Sequence, residues 1–289
     1  MHTTLSSATK TVTIGHDQPF CIIGERINPT GRKAFAAQLR ENDLSQVIID
    51  VEAQVAAGAH VLDVNMGVPL TDEPDLLARA IRLVQEHSDL PICIDSSIVE
   101  ALEAGLDAYQ GKALVNSATG EDDRMELILP LVKKYGAAVI ILANDETGIP
   151  ETVEQRLEIT RKIAKVAVEQ YGIALEDIVI DPLAMPIGAD PTMVTTTITT
   201  IREIHDEFGF NMCLGASNIS FGLPNRHTLN AAFLPMANSA GLTSAIMNAL
   251  SPECVTAAHA SDLLMGNDPW GANWIAQFRS AAAAAAATA

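Results

Sequence analysis

Basic residues are scarce in this 289-residue chain: 18 Lys+Arg stand against 36 Asp+Glu, a formal net charge of −18. That balance excludes nucleic acid as a partner, because phosphate contacts need Lys and Arg, and it is equally unsuited to an anionic membrane surface. Long apolar runs are absent too. The longest internal one, residues 137–143, is strand-sized, well short of the roughly 18 residues a membrane helix needs. The first ten residues contain no apolar signal core, so export is not expected. Cysteine is limited to Cys21, Cys93, Cys213 and Cys254, far apart and without a CxxC pair. A disulfide framework and a cysteine zinc site are therefore set aside, and a reducing cytoplasm is the expected location. The seven histidines are scattered, with no HExxH or HxH spacing, so no metal site is expected. A phosphate-binding P-loop and a nucleophile elbow are also missing. Aromatic residues make up only 4%, which argues against a sugar-processing site, although Asp63 and Asp95 keep a glycosidase-like carboxylate pair in view.

What the chain has is apolar residues, at 48% against 19% charged, enough to build a large core. Its length allows two domains or one α/β barrel of about 250 residues. Eight short, almost wholly apolar runs, at 20–25, 61–65, 91–95, 113–116, 137–143, 178–181, 212–215 and 244–248, read as parallel strands covered on both faces. Between them lie segments of helical period at 43–57, 75–87, 98–107, 124–135, 152–171, 191–208, 225–237 and 252–264. Several are closed by glycine: Gly58, Gly136 and Gly172. Eight strand–helix units without a linker predict an α/β fold, a single-domain (β/α)8 TIM barrel over residues 1–279. A doubly wound open sheet is the alternative. A longer loop, residues 28–42, precedes the first helix. Residues 280–289, SAAAAAAATA, are set apart as a low-complexity tail.

A barrel of this type carries its active site where the strands end. Here every strand ends in a carboxylate or carboxamide: Glu25 and Asn28, Asp63 and Asn65, Asp95, Asn116, Asn144 with Asp145 and Glu146, Asp181, Asn218, and Asn248. None ends in Lys or His. Such residues also start turns and cap helices, and Asp95 could serve only as a cap for the helix that follows Ser96 and Ser97. Taken together, Asp and Asn without Lys or His suit a neutral heterocycle rich in donors and acceptors. A carboxylate accepts two adjacent N–H bonds in bidentate geometry, and carboxamides supply a donor and an acceptor. A pterin edge fits this set; sugars and nucleobases fit it as well.

Six motifs occur in order: Gly24-Glu25-Arg26-Ile27-Asn28-Pro29-Thr30-Gly31, Asp63-Val64-Asn65, Ile94-Asp95-Ser96-Ser97, Val115-Asn116-Ser117, Asp181-Pro182, and Gly215-Ala216-Ser217-Asn218-Ile219-Ser220-Phe221-Gly222-Leu223-Pro224. From Phe20 to Met265 the chain resembles the pterin-binding family, in particular the methyltetrahydrofolate:corrinoid protein methyltransferases and the related folate module of cobalamin-dependent methionine synthase. The resemblance implies a TIM barrel, usually a homodimer, with the pterin ring of tetrahydrofolate in its mouth. Asp95, Asn116 and Asp181 would then hold the ring. Asn218 would lie near N5, the nitrogen that carries the methyl group, as the catalytic residue. Asp63 and Asn65 would share the mouth, and Glu25 and Asn28 would support it.

The reaction so implied moves a methyl group between N5 of tetrahydrofolate and the cobalt of a corrinoid, with the direction open. An amide-like anion leaves poorly, so protonation or strong hydrogen bonding at N5 must accompany transfer. An Asn is not itself an acid, so the proton is expected from solvent or a water-linked carboxylate. The chain lacks both a DxHxxG corrinoid-binding motif and the cysteine zinc cluster of a homocysteine site. The cobalamin or corrinoid is therefore expected on a partner corrinoid protein. The dihydropteroate synthase branch ends its eighth strand with Arg-x-His and uses a Lys near strand seven. This chain has Ser244-Ala245-Ile246-Met247-Asn248 and Ser217-Asn218 there. A dihydropteroate synthase-like enzyme and a non-catalytic folate-binding barrel remain as alternative readings.

Overall fold

The first residues fold before the barrel begins. Strands β1 (Thr3–Ser6) and β2 (Thr11–Ile14) form an antiparallel hairpin. Eight parallel strands follow: β3 (Cys21–Ile27), β4 (Val61–Asn65), β5 (Ile92–Asp95), β6 (Leu114–Thr119), β7 (Ala138–Leu142), β8 (Ile178–Asp181), β9 (Asn211–Gly215) and β10 (Ser244–Met247). They close in the order β10-β3-β4-β5-β6-β7-β8-β9, the (β/α)8 TIM barrel expected from eight strand–helix units. The computed structural model describes residues 1–287.

The helices are α1 (Lys33–Arg40), α2 (Ser45–Ala56), α3 (Glu73–His87), α4 (Val99–Ala108), α5 (Asp122–Tyr135), α6 (Val153–Glu169), α7 (Met193–Phe208), α8 (Arg226–Ala240), α9 (Pro252–Met265) and α10 (Ala272–Ala287). Local chemistry sets their ends. Thr152 and Gln155 form a reciprocal capping box at the start of α6, and Gly136, Gly209, Gly241 and Gly266 close their helices in the left-handed region. Thr288 and Ala289, the end of the alanine-rich segment, lie outside the described residues.

Besides α10, which runs past residue 279 into the segment set apart as a tail, two elements depart from the sequence reading. The loop at 28–42 contains α1, whose eight residues bury only Phe35 and Leu39, too few for a visible helical stripe. The N-terminal hairpin is the other. Its strands are four residues each, and no helix separates them. Leu5 and Ile14 are fully buried and join the side chains that fill the barrel interior, contributing about 1.5–3 kcal/mol each. The Asn211 amide at the start of β9 donates to Thr3 Oγ1 at 2.9 Å and to the Ile14 carbonyl at 3.0 Å. The hairpin thus plugs the end of the barrel opposite the mouth.

The interior is layered. Cys21, Ile23, Val61, Cys93, Leu114, Ala138, Ile140, Val179 and Cys213 fill it, while the alternate residues Ile22, Leu62, Val64, Ile92, Ile94, Val139, Ile141, Ile178 and Ile180 face the helices. Because side chains alternate along a strand, Glu25, Asp63, Asn65, Asp95, Asn116 and Asp181 continue the inward series toward the C-terminal ends. All four cysteines are buried free thiols.

Candidate active site

Strand register brings the polar residues together. Asn65 of β4 pairs with Asp95 of β5, and Asp95 pairs with Asn116 of β6. Neighbouring strands lie about 4.8 Å apart, so these three side chains form one inward row at the mouth. Asp181 ends β8 opposite Leu142 of β7. Asp63 sits one inward step deeper, opposite Cys93, and is 1% exposed. The Asn116 amide donates to Asp63 Oδ1 at 3.2 Å, which fixes the amide's orientation.

Burial shapes the electrostatics. It is the first cause lifting the Asp95 carboxyl to about 6, with nearby Glu73 adding to the rise and the Asn65 amide opposing it. Burial likewise pushes Asp63 well above the ordinary carboxylate range, with Asp95 adding repulsion. Two carboxylates this close in a dry interior disfavour double ionisation, so the pair holds a proton more tightly than an isolated carboxyl does. Asp181 is lifted to about 7, again mainly by burial, against the pull of the Leu183 N–H and the Arg156 charge.

The helix-capping reading of Asp95 is answered by its neighbour. Ser96 Oγ accepts from the Ile98 N–H at 3.0 Å and donates to the buried Glu73 carboxylate. Ser96 closes the turn before α4, whose N-cap Ile98 has no side-chain cap, and the Asp95 carboxyl, beside the Asn65 amide, is left at the mouth. Other strand ends are used up in turns. Asp145 Oδ1 accepts from Thr147 N–H and Oγ1, Glu146 accepts from the Asp122 N–H and Lys162, and Asn248 Oδ1 accepts from the Leu250 N–H at 3.0 Å. Asn28 Oδ1 likewise closes its own loop on the Thr30 N–H at 2.9 Å.

Gly24 opens the first motif for a steric reason. A Cβ there would collide with the Gln54 side chain, whose Oε1 accepts from the Arg26 N–H at 2.9 Å. The loop after β9 presents Asn218. Its amide folds back over Gly215, where a Cβ would come 3.0 Å from Nδ2, and the residue is exposed. Arg226 braces this loop, donating to the Ser217 carbonyl at 2.7 Å and to Ser220 Oγ at 3.1 Å. Ser217 Oγ donates to Glu25 at 3.1 Å.

The structure also adds residues that sequence patterning passed over. Arg156, on α6, is fully buried and donates to the carbonyls of Pro150, Pro182 and Leu183. Leu183 sits at φ 66°, an uncommon conformation for a side chain of its size, and its N–H donates to Asp181 Oδ1 at 2.8 Å. Arg156 therefore clamps the turn that aims Asp181. The only trace of this in the sequence is an Arg among the buried positions of a helix. Arg156→Met would leave buried carbonyls unsatisfied at about 1–3 kcal/mol each. The expected result is about 3 kcal/mol of lost stability in urea unfolding; a loss below 1 kcal/mol would show the clamp to be dispensable.

The exposed apolar side chains at this end of the barrel are also informative. Leu70, Ile98, Ile149, Phe221 and Leu250 are each more than a third exposed, and each lies on a different loop following a strand. Leu70 is fully exposed and at φ 68°. They give five of the eight loops at the mouth an apolar side chain, a broken apolar rim.

A closed barrel with inward Asp and Asn at its strand ends defines a class that known proteins also occupy. The chain belongs to the pterin binding enzyme family, whose pattern it matches over residues 24–248. It is 33% identical over 255 residues to a methylcorrinoid:tetrahydrofolate methyltransferase of Eubacterium limosum, covering 86% of this chain and 92% of that protein. Among solved structures, a Yersinia pestis dihydropteroate synthase with a pterine-sulfa conjugate superposes with a TM-score of 0.68 at 16% identity, covering 92% of this chain and 100% of the other. The Xanthomonas albilineans dihydropteroate synthase in complex with 7,8-dihydropteroate gives a TM-score of 0.66 at 18% identity, over 90% of this chain and 98% of the other. At such identities the likeness to these structures is one of fold. No helix among the described residues is long and apolar enough to cross a membrane.

Proposed function

We propose that this enzyme moves a methyl group between N5 of tetrahydrofolate and the cobalt of a corrinoid carried by a partner protein, in the direction from methyl-corrinoid to tetrahydrofolate. The single observation that carries the reading is the inward row Asn65–Asp95–Asn116, with Asp181 on the far side and Asn218 on the adjacent loop. Asp95 and Asp181 accept the N–H groups of the pterin edge, and Asn116, held in place by Asp63, meets a further ring atom. Asn65, whose Oδ1 accepts from the Gly67 N–H at 2.8 Å, steadies Asp95 with its amide. Asn218 is free to turn its amide and to hydrogen-bond N5. The direction follows the name of the Eubacterium limosum relative.

The corrinoid supplies a methyl group on cobalt and is a substrate held by the partner. The apolar rim of Leu70, Ile98, Ile149, Phe221 and Leu250 is the surface on which that partner would settle, excluding water from the mouth. An overall charge of −18 gives no long-range attraction to an acidic protein, so docking rests on this local apolar contact. We further propose that the protein works in the cytoplasm as a homodimer. The exposed Leu264 and Trp270 near the end of α9 offer an apolar face that a second copy would cover.

The test mixes the protein with methylcobalamin and tetrahydrofolate under reducing, anaerobic conditions and follows the cobalt spectrum. Conversion of the methylcobalt bands, with methyltetrahydrofolate formed in equal amount, is the expected result. No spectral change in either direction, in the presence of measurable tetrahydrofolate binding, would instead favour a non-catalytic folate-binding barrel. A dihydropteroate synthase would condense a pterin diphosphate with 4-aminobenzoate, which this protein is expected not to do.

A further inference from the structure

We propose that Glu25 is the group that exchanges the N5 proton with solvent. This rests on the methyl-transfer reading above and names a residue whose expected part there was support of the mouth alone. Besides Glu73, which is held by Ser96, four carboxyls stand at the mouth on the inward series of the strands. Asp63 lies deepest and is bonded to the Asn116 amide. Asp181 is bonded to the Leu183 N–H across the barrel. Asp95 stands in the row that meets the pterin edge. Glu25 alone is tied to the loop that presents Asn218, through Ser217 Oγ, which lies 3.1 and 3.4 Å from its two oxygens.

Strand order supports the assignment. Glu25 stands on β3, separated from β9 only by β10, on the side of the mouth away from Asp181. A ring held by Asp95, Asn116 and Asp181 on β5, β6 and β8 would leave the arc from β9 through β10 to β3 for its reacting edge. Glu25 is neither exposed nor fully buried, so it can meet both the mouth and water. Asn218 is an amide and has no proton to lose or gain near neutral pH. A carboxyl beside it, reached directly or through one water, supplies what the amide lacks.

The step balances. In transfer to tetrahydrofolate, the N5 lone pair forms the carbon–nitrogen bond while the carbon–cobalt bond breaks, its electron pair staying with the partner's corrinoid. The N5 proton passes to the Glu25 carboxylate and from there to water. In the reverse direction the protonated Glu25 returns a proton to N5 as the methyl group departs. Burial, the largest influence, raises the affinity of Glu25 for that proton, while Ser217, Arg26, Arg226 and His227 oppose it. Asp63 and the Cys254 thiol also feel the Glu25 charge.

Glu25→Gln keeps an acceptor for Ser217 and removes the proton-exchanging capacity, and Glu25→Asp keeps the carboxyl on a shorter stem. Tetrahydrofolate affinity is measured by fluorescence titration and methyl transfer from methylcobalamin by the cobalt spectrum, both across pH 5–9, with thermal unfolding of each variant. Glu25→Gln is expected to bind tetrahydrofolate within about twofold of wild type, to transfer methyl at least about 100-fold more slowly, and to lose the pH dependence contributed by this group. Glu25→Asp is expected to recover part of the rate and of the pH dependence. A Glu25→Gln rate and pH profile equal to wild type would overturn the proposal. So would a loss of tetrahydrofolate affinity matching the loss of rate, or equal rates in the Gln and Asp variants, since each marks a supporting role. Wild-type protein that neither binds tetrahydrofolate nor transfers methyl would instead remove the functional reading itself.

Discussion

Replacing Asn218 with alanine should slow methyl transfer by about 100-fold, the scale of losing one hydrogen-bond partner aimed at developing charge. Tetrahydrofolate affinity should change by no more than a few fold. The asymmetry follows from where the residue stands. Asn218 lies on the loop after β9, apart from the Asn65–Asp95–Asn116 row that meets the ring edge. Its amide has no hydrogen-bond partner among the described residues and packs over Gly215, so its loss leaves no buried group there unsatisfied. Single-turnover measurement of the cobalt spectrum separates chemistry from binding. Unchanged turnover, or a loss of affinity as large as the loss of rate, would remove Asn218 from the reacting edge.

Asp181→Asn should act in the opposite sense, on affinity and on stability at once. A carboxylate that accepts two N–H bonds from the pterin edge must be ionised, and burial holds the proton on Asp181 up to about 7. Tetrahydrofolate binding should therefore strengthen with rising pH, by about tenfold between pH 6 and pH 8 for one group titrating in that window. In the Asn variant the affinity should fall by about 100-fold at pH 8, and this rise with pH should flatten. Stability moves the other way. A folded-state value above the unfolded one means that the native protein holds the proton more tightly. The ionised form costs stability as pH rises from about 4 to above 7. Removing the charge relieves that cost, so Asp181→Asn should be more stable than wild type above pH 7 by about 1–3 kcal/mol and should match it near pH 4. Isothermal titration across pH and urea unfolding at pH 4 and pH 8 check the two halves. A variant that loses affinity and stability together would mean that Asp181 supports the fold instead of the ligand.

The two predictions draw on different sources. Asp181 stands at the end of an apolar run, where barrel geometry alone predicts a site residue. Its protonation, however, depends on burial among β7, β9 and α6 and on the guanidinium of Arg156, a helix residue 25 positions away in the chain. The alternation of apolar runs with helical periods was enough to predict the barrel, because parallel strands covered on both faces must be apolar throughout. It was not enough for the N-terminal hairpin. Leu5 and Ile14 gain their meaning only from the open barrel end that they fill.

Polar strand ends show the same division. Asp95, Asp145, Asn248 and Asn28 are equivalent as letters, each an Asp or Asn beside a turn. Three of them use their oxygens to close that turn, while Ser96 and Glu73 take over the turn beside Asp95 and leave its carboxyl to the mouth. Glu73 lies on the preceding helix, and no spacing rule links it to Ser96.

The sequence alone determined the number of barrel strands, the end of the barrel that carries the site and the residue types gathered there, because strand and helix periodicity and the chemistry of Asp and Asn are local properties. Only the tertiary structure decided which of those residues share a register row, which carboxyls are dry enough to keep a proton, and that Glu25 meets the loop of Asn218. Hydrogen-bond register between strands and desolvation arise only between segments distant in the chain, once the barrel has closed.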